Sequence, residues 1–147
     1  MSRIPTPASI EAAPAAAQPL LNAVKQSLGS VPNLFRLTAN SPAALEGYLG
    51  LNGALARGAL DAATRERIAL AIANINGCTY CNSAHTYLAT NVAKLSPAEI
   101  DANRAGSSSD PKADAAVKLA VRIVRERGHV SETDVQAAKA AGFSDAE

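Results

Sequence analysis

The chain has 147 residues, enough for one domain with a sizeable core. Hydrophobic residues make up 48% of it, aromatics only 3%, and Trp is absent, so the core must come mainly from Ala, Leu, Ile and Val. A formal net charge of +1, with no basic stripe interleaved with aromatics, excludes charge-driven binding to nucleic acid or to an anionic membrane.

The opening stretch, MSRIPTPASIEAAPAAAQPLL, is interrupted by Pro5, Pro7, Glu11 and Pro14, unlike the unbroken apolar core of a secretory signal. No apolar run approaches the ~20 residues that span a bilayer. The expectation is a cytoplasmic protein whose thiols rest reduced. There, a close Cys pair points to redox chemistry or metal binding rather than to a structural staple.

Residues 1–13 read as an extended arm, because Pro5 and Pro7 push their neighbours out of helical geometry. The remainder, 14–147, reads as one helical domain. A first helix is predicted from Pro14 at N1 to Leu28, with Gly29 at C′. VPNLFRLTAN predicts a short helical turn packing Leu34, Phe35 and Leu37. In SPAALEGYLGLNGALARG, Ser41 is the N-cap, Pro42 is N1 and Gly58 the terminator. Gly47, Gly50 and Gly53 recur there every third residue, which predicts close packing against a neighbouring helix at a cost in propensity.

Asp61 caps the next helix. It carries one stripe of Ile68, Ile72 and Ile75 and another of Glu66, Leu70 and Ala73, the pattern of a buried helix. Asn76-Gly77 breaks it, and a new helix is predicted from about Cys78 to Lys94. SPAEI opens a short helix with Ser96 as cap and Glu99 at N3. Asp110 and Pro111 open another, running to Arg127 with Ala116, Val117, Ala120, Val121 and Val124 inward. Ser131 opens the last full helix, which Gly142 closes. The final FSDAE has the form of a capping box, Ser144 with Glu147, announcing a further helix. No period-2 alternation and no 20–50-residue repeat is present, so the predicted class is all-α.

The chemistry concentrates in CTYCNSAH. Cys78, Cys81 and His85 stand at i, i+3 and i+7, within roughly 60° of one another on one helix face. A helix start supplies free N–H groups and the positive dipole end, which favour a thiolate. Glu66 can be placed by counting: it lies ten residues before Asn76, and His85 lies eight beyond Gly77. If the chain reverses at that turn, the two are offset by roughly 3 Å and can touch. Glu66 cannot reach Cys78 along one straight helix, since twelve residues span about 18 Å. The implied relay is Glu66–His85–Cys81.

Glu66, eleven intervening residues and CTYCNSAH together resemble the E-x11-C-x2-C-x3-H signature of the AhpD-like alkylhydroperoxidases, within the carboxymuconolactone decarboxylase superfamily. LGSVPNLFRLTANSPAALEGYLGLNGAL and TRERIALAIANINGCTYCNSAHTYLA resemble the lead-in and core of its peroxidase-related branch, with the motif core at 60–94. The resemblance implies an AhpD-like helical bundle assembled as a homo-oligomer, trimer or hexamer. It implies that Cys81 attacks the peroxide, that Cys78 is proton donor and resolving thiol, and that His85 and Glu66 form the proton relay. It also implies no cofactor or metal, and a dithiol reductant such as a lipoylated protein. Two departures stand out. Relatives usually continue beyond GFSDAE with another apolar helix, and some carry a histidine where this chain has Tyr80.

Other readings stand beside this one. Cys78, Cys81, His85 and Glu66 are four potential zinc ligands in a non-catalytic helical domain, although a tetrahedron drawn mostly from one helix is strained. Decarboxylation of a lactone acid is the other activity of the superfamily, in a branch that lacks the cysteine pair. Glu66 alone would read as a solvated charge or an ion pair with Arg65 or Arg67. His129 reads as a surface or capping residue. Tyr80 and Tyr87 read as core or subunit contacts, and Arg122, Arg125 and Arg127 as a solvated face.

Overall fold

The computed structural model describes residues 3–147. Among them every regular element is helical: one 3-10 turn and eight α-helices, with no strand. The chain forms two compact units, residues 1–57 and 58–147.

In the first unit a 3-10 turn, Ala15–Ala17, precedes α1, Gln18–Leu28. The single helix from Pro14 expected of the sequence is therefore split. Pro19 explains the split. It has no N–H to donate, and its ring would collide with the carbonyl of Ala15 in a continuous α-helix, so the α-helix starts with Pro19 in its first turn. Gly29 ends α1 in the left-handed region, φ 75°. Next come α2, Asn33–Thr38, and α3, Pro42–Ala56, the latter capped by Ser41 as its Oγ accepts the Ala44 N–H. Ala13, Ala17, Leu21, Ala39 and Leu45 form the core, with Phe35 and Leu49 packed on it. Of the three residues expected to pack from α2, Leu34 instead lies exposed.

The arm is anchored by side chains of α2 and the turn after it. Arg36 Nη1 donates to the carbonyls of Pro7 and Ala8, and Asn40 Nδ2 to that of Pro5. The glycines of α3 depart from expectation. A Cβ placed on Gly47 or Gly50 would meet nothing within 4 Å, and one on Gly53 only the flexible end of Arg57. The close helix packing predicted for them is not formed among the described residues.

The second unit is built around α4, Ala62–Ile75, which packs against α5 (Thr79–Asn91), α6 (Pro97–Arg104) and α7 (Pro111–Arg125). The last helix, α8 (Glu132–Ala140), packs on α7. Each begins on a cap: Asp61, Cys78, Ser96, Asp110 and Ser131 all accept the backbone N–H three residues on. Leu70, Ala89 and Ile100 are the centre of this core, with Leu95 packed on them. On α7, Ala113, Ala116 and Val117 are buried, while Ala120, Val121 and Val124 are half-buried. Ser144 and Glu147 make the reciprocal bonds of a capping box, and Lys112 ties Glu147 to α7 at 3.0 Å. No helix among the described residues is long and apolar enough to cross a membrane.

Candidate functional site

The site is built at the join between α4 and α5. Gly77 takes φ 61° one residue after the α4 C-cap, Asn76. Its N–H bonds to Asn74 O, and the Cys78 N–H reaches back to Ala73 O, both at 3.0 Å. This is a complete Schellman closure, which only a residue free to adopt positive φ at that point permits at low cost. Cys78 is thus the last residue of one capping motif and the first of the next. It is the N-cap of α5, not a residue of its first turn, and its Sγ accepts the Cys81 N–H at 3.2 Å.

Cys78 and Cys81 are joined by a disulfide, with Cα atoms 5.3 Å apart. Both are half-buried. One turn further along α5, His85 Nδ1 lies 2.8 Å from Glu66 Oε2 on α4. Glu66 is 19% and His85 33% exposed, so the pair is shielded without being sealed from water. The hairpin at Asn76-Gly77 therefore brings Glu66 to His85, and the two sulfurs stand at the start of the helix that carries this imidazole. No hydrogen bond joins His85 to either sulfur in this disulfide form.

The Glu66 carboxylate meets His85, and the adjacent arginines have partners of their own. Arg67 turns to Glu99, 2.8 Å away, and Arg65 donates to Leu60 O. No group of three or more His, Cys, Asp or Glu side chains among the described residues is arranged to hold a metal ion, and sulfurs bonded to each other offer no thiolate ligand. Tyr80, Tyr87 and His129 are exposed.

Two groups around the site were missed in the sequence. Ser96 does cap α6, but Glu99 does not reach back to complete the box. It is 6% exposed and serves as a buried acceptor for Arg67 Nε, Asn103 Nδ2, Ser108 Oγ, and the Ser109 N–H and Oγ. Burial pushes its carboxyl up, but the hydrogen bonds from Ser108, Ser109 and Asn103 outweigh this and hold it far below the usual carboxylate range. Glu99 thereby fastens α6 and the 107–109 loop to α4, the helix that carries Glu66. The donor-rich run SSSD was the available signal. The second group is Asn82, whose Nδ2 donates to Cys78 O at 3.3 Å. Its backbone carbonyl accepts from Thr86 Oγ1, which in turn accepts from Arg104 Nη2 at 2.7 Å.

The carboxymuconolactone decarboxylase family is matched over residues 42–126, more than half of the chain. The chain belongs to this family. Among solved structures it is similar to the alkylhydroperoxidase AhpD core of an uncharacterized peroxidase-related protein from Ralstonia eutropha JMP134. The identity is 28% and the TM-score 0.84, over 98% of this chain and 77% of that one. An uncharacterized peroxidase-related protein from Silicibacter sp. TM1040 shares the fold at 21% identity and TM-score 0.81, over 99% and 81% of the two chains. No curated protein matches the sequence. The fold is thus the AhpD-like helical fold, and the chain is a family member that carries a cysteine pair at disulfide distance.

Proposed function

We propose that this chain is a thiol-dependent peroxidase of the alkylhydroperoxidase kind. The observation that carries the reading is the Cys78–Cys81 disulfide at the start of α5, the oxidised end of such a cycle. In the reduced protein the Cys81 thiolate attacks the terminal oxygen of a hydroperoxide. The O–O bond breaks, Cys81 becomes a sulfenic acid, and the alcohol leaves with a proton donated by Cys78 or delivered through His85. The Cys78 sulfur then displaces water from the sulfenic acid and forms the disulfide. A dithiol carrier, of which a lipoylated protein is the proposed example, reduces it by two thiol–disulfide exchanges and is itself oxidised. His85 takes the Cys81 proton, and the Glu66 carboxylate orients the imidazole and stabilises its charged form. The chain's own sulfurs carry both electrons, so the proposed reaction needs no metal or cofactor. Cytoplasmic location and a trimeric or hexameric assembly belong to the same proposal.

The roles of the two sulfurs separate experimentally. Cys81→Ser should abolish peroxide consumption. Cys78→Ser should leave a sulfenic acid on Cys81 that dimedone traps. A Cys78→Ser protein that yields no adduct, while the unaltered protein turns over, overturns the assignment.

A further inference from the structure

Asn82 is four residues beyond Cys78 and one beyond Cys81, so its side chain leans back over the first turn of α5. The Cys78 carbonyl can only accept, and this fixes the amide's orientation: Nδ2 faces it, so Oδ1 points elsewhere. That Oδ1 is buried and has no hydrogen-bond partner. A buried acceptor without a donor carries its full desolvation cost. The disulfide form has no sulfur-bound hydrogen to offer it. The dithiol form has two, one of them on Cys78, whose Sγ sits at the N-cap of the turn that Asn82 covers.

We infer that Asn82 is a redox-sensing positioning residue whose Oδ1 accepts the Cys78 S–H in the dithiol form and loses that partner when the disulfide closes. The inference rests on the proposed dithiol–disulfide cycle of this same pair. Its consequence is an asymmetry between two otherwise similar thiols. The Cys81 N–H donated to Cys78 Sγ would by itself favour a thiolate there. An acceptor for the S–H opposes that and keeps the proton on Cys78, where the proposed reaction needs a donor. Thiolate character is left to Cys81, one turn before His85. The charged or titratable groups on this turn or joined to its helix include Tyr80 and His85 on α5, Glu66 on α4, and Arg104 on α6, linked through Thr86.

The redox bookkeeping is plain: the disulfide takes two electrons and two protons from dithiothreitol, which closes to its cyclic disulfide. Asn82→Leu keeps the volume and removes the acceptor. Because the acceptor is satisfied only in the reduced form, the dithiol state of this variant should be disfavoured about threefold to tenfold in dithiothreitol redox buffers. Tenfold corresponds to a reduction potential about 30 mV lower. The thermal midpoint of the reduced variant should fall below that of the reduced unaltered protein. The two oxidised proteins should match, or the variant should be the more stable, since it replaces an unsatisfied polar atom. Asn82→Gln, which retains an amide oxygen, should recover part of the shift in potential. Equal destabilisation of both redox forms would mean that Asn82 only braces the Cys78 carbonyl, and an unchanged potential would mean that Oδ1 meets no thiol. Either result overturns the inference. Neither measurement uses peroxide, so an inactive protein with the predicted shift would sink the peroxidase reading alone.

Discussion

Replacing Glu99 with alanine should cost more stability than any other single side-chain deletion outside the apolar core. The carboxylate accepts from five donors, one of them the guanidinium of Arg67, which is itself only 14% exposed. Treating each charge-assisted bond as an independent ~2 kcal/mol would exceed the whole stability of many domains, so the donors do not add. The governing case is a buried ion pair losing one partner, which costs about 3–5 kcal/mol because Arg67 is left charged and unpaired. Glu99→Gln keeps the bulk but offers one acceptor oxygen where two are needed, and should fall between alanine and the unaltered protein. The sign of the pH effect follows from the depressed carboxyl. Its contribution is full above the ordinary glutamate value of about 4.3 and is lost as pH falls from there toward its much lower folded value. Urea unfolding at pH 7 and at steps down to pH 3 measures both effects. The unaltered protein should lose stability along this acid limb, and Glu99→Gln should show a flatter one. A deletion costing under ~1 kcal/mol, or identical acid limbs, would refute the buried-anchor account.

Other perturbations test other parts. Glu66→Gln should slow the peroxide reaction about tenfold to a hundredfold, from loss of a charge-assisted bond of ~1.5–3 kcal/mol to the imidazole, with little change in the thermal midpoint. Stopped-flow thiol oxidation checks this, and an unchanged rate would remove Glu66 from the relay. Gly47→Ala and Gly50→Ala should each raise stability by up to ~1 kcal/mol, because the helix gains propensity and the new methyl meets nothing. A loss in either would show that the face is closely covered in solution. The Glu147 carboxyl is held down to about 2 by the Ser144 N–H first, and then by Lys112 and the Ser144 hydroxyl. An NMR titration should find it there, and should find it higher in Lys112→Ala; a value in the ordinary carboxylate range would contradict the C-terminal capping box.

Five helix starts were legible because one short polar side chain decides each of them. Ser41, Asp61, Ser96, Asp110 and Ser131 all cap where the local sequence places a cap. The Glu66–His85 contact was legible for a similar reason: a tight turn of known length converts sequence distance into spatial register. What escaped depends on competition between partners. Glu99 has the spacing to complete a capping box, yet Arg67 on another helix, Ser108 and Ser109 in a loop, and Asn103 on its own helix take it instead. Pro19 split α1 because one missing N–H outweighed a favourable alanine run. The glycines of α3 carry a packing signal but not its partner: among the described residues, a Cβ on Gly47 or Gly50 meets nothing, and one on Gly53 meets only the end of Arg57.

The central claim is tested most directly by adding one equivalent of an alkyl hydroperoxide to the fully reduced protein, then counting thiols and weighing the intact chain. The account predicts the loss of two thiols per chain, a mass lower by two hydrogens, and one equivalent each of alcohol and water, with Cys78 and Cys81 recovered as one linked peptide. Retention of both thiols, or their loss at the same rate without peroxide, would contradict it.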